Sequence, residues 1–370
     1  MRILLDYRPA LRERTGVGEY VHEIAAALDR QRPGDDTLTL FSSSWKDRLS
    51  PDPLPHARIV DTRVPVSFLN LSWHRLEFPP VEWFAGPTDI AHSPSPLLIP
   101  ARRAARVVTV HDLDFVDHPE RTRGEIKRDY KDLSGWHCRR ADAVIAVSRF
   151  TAEEVVTRFG VPRERITICS PGAPAWNARP ATVPDGPILF MGTLEPRKNV
   201  GALLGAYARL LFMLPKVPKL LLAGGATAAA APWLDAIGKP PLEGHVEHLG
   251  YIAPEQRYEL YTKASMLVMP SHLEGFGLPV LEAMTVGVPV IVSRRGALPE
   301  LAGDAGVVVE PDDHAGLADA MRRFLVNPQA AAAAAERGRA RAAQYSWDAS
   351  AAALYGAYQD AIGRKRRTRG

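Results

Sequence analysis

The residues best suited to chemistry lie between Pro270 and Met284, in the run Pro-Ser-His-Leu-Glu-Gly-Phe-Gly-Leu-Pro-Val-Leu-Glu-Ala-Met. Glu274 falls in a loop after an apolar run, and Gly275 and Gly277 let backbone approach a ligand closely. Pro279 suits the first turn of a helix, whose N-terminus offers free N–H groups and positive dipole to an anion. Glu282 is expected in that first turn. Two acceptor-only carboxylates flanking an anion site can grip two parts of a hydroxyl-rich, phosphate-bearing ligand. The plainer reading makes Glu274 a solvated loop residue and Glu282 a helix-favouring carboxylate, but the glycines and buried flanks argue against it.

A second cluster is Gly192-Thr193-Leu194-Glu195-Pro196-Arg197-Lys198-Asn199. Cations at a helix start oppose the macrodipole, so Arg197 and Lys198 there point to a bound anion. His111 and Asp112 follow the apolar run Val107–Val110 and so sit at a strand's carboxyl end. Taken alone, His111 reads as a hydrogen-bonded core histidine. Gly16 and Gly18 lie in a polar loop before a helix, a weak Gly-x-Gly without the third glycine of a dinucleotide fingerprint. Asp112-Leu113-Asp114 has the form of a metal-binding pair, but no further carboxylates join it and no metal is expected.

These segments together resemble glycosyltransferase family 4, whose members are retaining enzymes of GT-B fold. Glu274 through Glu282 resembles the family's Glu-x7-Glu signature, and Thr15-Gly16-Val17-Gly18-Glu19-Tyr20 its N-terminal glycine loop. His111-Asp112-Leu113, Ala146-Val147-Ser148, the Gly192 turn, Gly287-Val288-Pro289-Val290-Ile291 and Gly296-Ala297-Leu298-Pro299-Glu300 follow in family order. The resemblance implies that Glu282 holds donor ribose hydroxyls and Glu274 hydroxyls of the transferred sugar. It also implies that the backbone N–H groups of Phe276, Gly277 and Leu278 hold phosphate and sugar, and that His111 faces the sugar. Gly16 and Gly18 would border the diphosphate, while Ser148, Gly192, Thr193 and Gly275 complete the donor-side set. The chain departs in one place: many relatives carry Arg where Thr193 stands, so the phosphate relies more on Lys198, with Arg197 as the candidate substitute. The implied reaction is front-face transfer with retention, the leaving phosphate helping to deprotonate the acceptor.

Positioning these residues requires alternating strands and helices. Strands are expected at Arg2–Asp6, Leu38–Phe41, Ile90–Ser93, Val107–Val110, Ala143–Val147 and Ile166–Cys169, then at Ile188–Met191, Leu220–Ala223, Val246–Leu249, Leu267–Met269, Val288–Val292 and Val307–Val309. Their nearly unbroken apolar character suits parallel sheets buried on both faces. Helices are expected between them, including Glu125–Arg140, Thr151–Phe159 behind Ser148, Pro279–Val286 and the Ala-rich stretch near Gln329–Ala343. The fold class is α/β: two Rossmann-like, doubly wound domains facing each other across a cleft. The expected acceptor-side domain is 1–172, the Pro/Gly-rich 173–186 is a linker, and 187–345 is the donor-side domain. The segment 346–370 is expected to hold a final helix, Trp347–Ile362, that packs back on the first domain, ahead of a basic, disordered tail from Gly363.

Length and composition agree with two globular domains: 370 residues, 46% hydrophobic and 24% charged. The net charge of +4 is too small and dispersed to argue for nucleic acid. Two distant cysteines, Cys138 and Cys169, form neither a disulfide framework nor a metal motif, which favours a reducing cytoplasm. No apolar run approaches the ~18 residues of a membrane span, so the expected location is cytoplasmic, with or without peripheral contact at the inner membrane face. The expected partners are a nucleotide-sugar donor and a saccharide or lipid-linked saccharide acceptor. The acceptor candidates are Val64–Pro80, with Phe68, Leu69, Leu71, Trp73, His74, Arg75, Leu76 and Phe78, and nearby Arg102, Arg103, Arg106, Arg121, Arg123, Lys127 and Arg128. The plainer reading, buried loop residues and solvated helix faces, is slightly preferred. The motif pattern looks most like mannosyl- or rhamnosyl-type transferases of cell-surface polysaccharide, which favours GDP-mannose over UDP-hexoses. The rivals are a non-catalytic two-domain sugar binder, a dinucleotide enzyme lacking its fingerprint here, and a same-fold phosphorylase needing a cofactor-bearing lysine.

Overall fold

A computed structural model describes residues 1–11, 14, 16–43, 48–49, 54–121 and 124–367, without the side chains of 124–128. Thr15, Arg123 and the side chains of Lys127 and Arg128 therefore lie outside the described residues. The chain divides into two compact units, Met1–Gly172 with Ser346–Gly370, and Ala173–Tyr345.

The first unit is built on a seven-stranded parallel sheet: β1 Arg2–Asp6, β2 Thr37–Ser43, β3 Arg58–Thr62, β4 Ile90–Ser93, β5 Ala105–Val110, β6 Ala143–Ala146 and β7 Ile166–Ile168. Their order is β3-β2-β1-β4-β5-β6-β7. Ile3 pairs with Leu38 on one side and Ile90 on the other, so β1 lies inside the sheet with a strand on either side. Strand β3 was not anticipated: Arg58-Ile59-Val60-Asp61-Thr62 is a half-buried edge strand with too little apolar character to signal itself. Val64–Pro80 is more regular than its composition suggests. Val66–Leu71 is helical and Ser72–Leu76 continues as a wider turn. Leu69 and Trp73 are buried there, whereas Phe68, Leu71, Leu76 and Phe78 are exposed, so the preferred reading of this stretch as buried residues holds only in part.

The helix Trp347–Arg367 returns to this first unit. Gly172 is obligatory at the return, because a Cβ there would lie 2.1 Å from the Trp347 nitrogen. Trp347 packs edge-on against Tyr20, with ring centroids 5.6 Å apart. Further along, Tyr358 shares a 2.6 Å hydrogen bond with His92 Nδ1, and Arg364 Nε donates to the Asp142 carbonyl at 2.8 Å. The expected disorder from Gly363 is thus corrected as far as Arg367: hydrogen bonds to the first unit hold the helix together.

The second unit has a six-stranded parallel sheet: β8 Ile188–Met191, β9 Leu220–Ala223, β10 Val246–Gly250, β11 Met266–Met269, β12 Val290–Ser293 and β13 Val307–Val309, in the order β10-β9-β8-β11-β12-β13. Chain order reverses between β8 and β11, so the loops leaving these two strands emerge side by side. Leu203, Tyr207, Leu222, Val268 and Met321 are among the side chains of the core on one face.

Residues 173–186, expected to be a linker, lie inside this second unit. The reason is Arg179. It is buried, its backbone N–H donates to Val286 O, and its guanidinium donates to Gly287 O at 3.1 Å and Ala264 O at 2.5 Å. These carbonyls close two helices, Pro254–Lys263 and Leu278–Val286, whose C-terminal dipole ends favour a cation. Burial, with Arg339 nearby, lowers its pKa to about 10, which leaves it charged at neutral pH. Among the described residues no helix is long and apolar enough to cross a membrane.

Burial in the first unit depresses the pKa of several imidazoles, three of them His92 to about 3, His111 to about 4 and His137 to about 4. His137 Nδ1 accepts the Leu98 N–H at 2.8 Å, a role open only to the neutral ring. A depressed folded-state pKa contributes stability that is full above the unfolded value of about 6.5 and is lost as pH falls toward the folded one. The ring-proton resonances of these three histidines are expected to stay flat from about pH 8 to about pH 5. A sigmoid centred near the ordinary value of about 6.5 would sink this account.

Candidate functional site

The switch point between β8 and β11 brings two loops together in the second unit. After β8 the chain turns at Gly192, which has φ +152°; a Cβ there would lie 3.6 Å from Lys198 Cε. The neighbouring Gly224 is tighter still, for its Cβ would meet Gly192 O at 2.1 Å. Pro196–Lys198 forms one 3-10 turn, ended by Asn199 in the left-handed region at φ 55°. Asn199 then ties the turn to its neighbours, Nδ2 donating to Pro270 O at 3.2 Å and Pro311 O at 2.8 Å. The His272 N–H donates to Arg197 O at 2.7 Å and completes the link between the loops.

Lys198 and Glu274, 76 residues apart, form a buried ion pair, with Nζ 2.5 Å from Oε1. Ser271 Oγ donates to the same oxygen at 2.7 Å, and Arg197 approaches Oε2 at 3.4 Å while also pairing with Glu195 at 2.7 Å. Burial pushes the Glu274 pKa up, but Lys198, Arg197 and the Ser271 hydroxyl outweigh it and hold the carboxyl below its ordinary value. For Lys198, burial and then Arg197 prevail over Glu274 and lower the ammonium pKa. The backbone of Glu274 is also fixed: Ala297 N–H donates to its carbonyl at 2.9 Å, and Gly296, at φ +61°, passes so close that a Cβ would sit 2.5 Å from that oxygen.

The loop ends at Gly277, which caps the helix Leu278–Val286 at φ +108° with no side-chain hydrogen bond. Its Cβ would meet Leu298 Cδ2 at 2.7 Å. Among the described residues no side chain at the N-cap hydrogen-bonds the N–H groups of this helix start, beside Phe276, Gly277 and Leu278. Glu282 is the fifth residue of the helix, not in its first turn, because the helix begins at Leu278. It is buried and accepts from Tyr261 Oη at 2.7 Å and Arg257 Nη1 at 3.5 Å. Burial, then the Glu282 charge, push the Tyr261 phenol well above its ordinary pKa, so it donates. Tyr261 and Arg257, one helical turn apart in Pro254–Lys263, went unnoticed in the sequence, whereas Ser271 and Asn199 stood inside the two motif runs with no role assigned to them. Their only signal was a polar residue on an otherwise ordinary helix or loop.

The remaining residues belong to the first unit. His111 follows β5, places Nε2 3.2 Å from Pro94 O and lies edge-on to Tyr20, with centroids 5.1 Å apart. Ser148 caps the helix Arg149–Phe159 by accepting from Thr151 N at 3.0 Å, and Thr151 Oγ1 donates to His111 O at 3.3 Å. Gly16 opens the helix Gly16–Gln31 at φ +31°. Gly18 faces Pro9 O at a would-be Cβ distance of 2.7 Å, a packing reason for glycine there. Asp112 accepts the Asp114 N–H at 3.2 Å and Asp114 pairs with Arg121 at 3.1 Å, so the Asp-x-Asp segment is engaged within its own loop.

Removing one partner of a buried pair leaves an uncompensated charge, which costs about 3 kcal/mol or more. Lys198→Met is therefore expected to destabilise the protein by about that amount, and adding Glu274→Leu to recover most of the loss. Denaturant unfolding of the four species closes this cycle; additive penalties would contradict the pairing.

The chain has clear relatives. Residues 14–175 match the family described as Glycosyltransferase Family 4, and residues 180–341 match Glycosyl transferases group 1. O-antigen chain mannosyltransferase B of Escherichia coli is 30% identical over 394 residues, spanning 97% of this chain and 100% of its own. Sucrose-phosphate synthase from Thermosynechococcus elongatus superposes over 97% of this chain and 98% of its own with a TM-score of 0.76 at 22% identity. Anabaena HepE, solved with UDP and glucose, does so over 96% and 98% with a TM-score of 0.71 at 19% identity. With a motif order, two Rossmann-like sheets and a full-length relative in agreement, the chain belongs to glycosyltransferase family 4 and is a glycosyltransferase of GT-B fold.

Proposed function

We propose that the protein moves a hexose, with retention, from a nucleotide-diphosphate sugar to a saccharide or lipid-linked saccharide acceptor in cell-surface polysaccharide synthesis. GDP-mannose is the favoured donor, supported by the likeness to the Escherichia coli mannosyltransferase. A UDP-hexose is the second reading, since the Anabaena relative was solved with UDP and glucose.

The observation that carries this reading is the pairing of Lys198 with Glu274 at one switch point, ahead of a helix that has no side-chain cap and carries Glu282. Glu282, steadied by Tyr261 and Arg257, holds the ribose hydroxyls. Glu274, held ionised, accepts hydroxyls of the transferred sugar. The N–H groups of Phe276, Gly277 and Leu278 take the distal phosphate and sugar, with Gly192, Thr193 and Gly275 giving backbone access. Lys198, seconded by Arg197, meets the charge that grows on the diphosphate as the glycosidic bond breaks. No residue beside Glu274 is placed as a second base, so the leaving phosphate takes the acceptor proton. His111, neutral at the carboxyl edge of the first sheet, is suited to hydrogen bonding with sugar hydroxyls. No metal is assigned a step, since Lys198 and the helix N-terminus supply the positive charge. Exposed Phe68, Leu71, Leu76, Phe78 and Trp83 support a lipid-linked acceptor and peripheral contact with an anionic membrane from the cytoplasmic side.

Calorimetric titration with GDP, UDP, GDP-mannose and UDP-glucose is expected to show one preferred base. Glu282→Ala should weaken that binding ~10- to 100-fold. Binding of none of the four, or unchanged binding in the variant, would withdraw the assignment. For the reaction itself, Lys198→Ala is expected to lower kcat by ~100-fold or more; a change confined to KM would remove Lys198 from the leaving-group role.

A further inference from the structure

The first unit carries a second concave site at the opposite edge of its sheet. Arg106 stands near the start of β5 and His111 follows its end. At ~3.3 Å per strand residue the two are separated by roughly 16 Å, so this site lies away from the edge where parallel sheets bind substrates. The cavity measures about 420 Å³ and is lined by Arg106, Arg140, Arg165, Arg364, Lys365 and Arg367 around Asp142. Glu77 reaches in from the side, pairing with Arg140 and lying 3.8 Å from Arg106. Among the described residues six cations thus surround two carboxylates.

Such a concentration is not that of a solvated tail. Arg165 donates to Arg139 O and Ala141 O, Arg364 to Asp142 O and Glu164 O, and Lys365 lies 3.4 Å from Asp142. Backbone carbonyls thus orient the Arg165 and Arg364 guanidinium groups. The Arg106 side chain is only 15% exposed, and its Nε is buried without a partner among the described residues. A buried N–H donor without a partner favours an anion that can accept from it, and guanidinium forks match phosphate oxygens. The rim adds an apolar component: Leu76 and Phe78, on either side of Glu77, are exposed, and Trp136 lies exposed under the Arg140 guanidinium, 4.0 Å from its ring centroid.

We infer that this pocket, formed by the C-terminal helix and the amino ends of β5 and β6, binds a phosphate-bearing anion, either free or as the headgroup of an anionic lipid. The site is independent of the donor-binding assignment, since none of its residues belongs to the switch point of the second unit. It also gives the basic run Arg364-Lys365-Arg366-Arg367 a role that donor and acceptor handling leaves open.

The test reads hydrogen exchange, which localises binding, in the full-length protein with three probes: inorganic diphosphate, phosphatidylglycerol vesicles and phosphatidylcholine vesicles. Diphosphate or phosphatidylglycerol should slow exchange at residues 139–142 and 360–367, and phosphatidylcholine should not. Protection by diphosphate assigns a free anion, and protection by phosphatidylglycerol alone assigns a lipid headgroup. Lys365→Gln with Arg367→Gln, and separately Arg165→Gln, should weaken that binding ~10-fold or more while leaving nucleotide binding unchanged. No protection by any probe, or protection that both variants retain in full, would overturn the inference.

Discussion

A buried charge must meet its counter-charge, and the donor half of this molecule is arranged around that requirement. Lys198 and Glu274 lie on loops from β8 and β11, strands remote in sequence and adjacent in the sheet. In the interior neither charge is tolerable alone, so the pair enforces the meeting of the two loops. The surrounding contacts serve the same end. Gly192, Gly224 and Gly296 allow backbone to approach where any Cβ would collide or strain, while Ser271 and Asn199 satisfy the polar groups that the loops bring inside. The result is a carboxylate and an ammonium fixed in position ahead of a helix whose N-cap makes no side-chain hydrogen bond.

The same economy governs Glu282. Its carboxylate is held by Tyr261 and Arg257 from the helix Pro254–Lys263, and the C-terminal ends of both helices are closed by the single buried guanidinium of Arg179. A change at Arg179 therefore acts on the helix that carries Glu282 without touching any ligand. In the first unit His92, His111 and His137 are buried as neutral rings, and the return helix is locked to the sheet through His92 and Tyr358.

Much of this was legible in the chain. The strands Arg2–Asp6, Ile90–Ser93, Ile188–Met191, Leu220–Ala223 and Val307–Val309 have the bounds their apolar runs suggested. Ser148 caps its helix as its position before Thr151 implied, and Gly160 ends that helix in the left-handed region. What was misread follows from long-range contacts. Residues 173–186 looked like a linker because prolines and glycines break periodicity, yet Arg179 anchors them in the second unit. The tail looked disordered because it is basic, yet Asp142 and neighbouring carbonyls hold it as far as Arg367. Strand β3 passed unseen because an edge strand needs only one apolar face.

The sequence by itself determined the alternation of strands and helices, the family motifs in their order, and which acidic and basic residues stand in those motifs. Those features are local: periodicity, caps and glycine placement are set by near neighbours in the chain. Only the tertiary structure decided that Lys198 pairs with Glu274, that Tyr261 and Arg257 hold Glu282, and that six cations from four segments line one recess. Such pairings depend on which strands become neighbours, and the crossover connections of a parallel sheet bring together residues that sequence distance keeps apart.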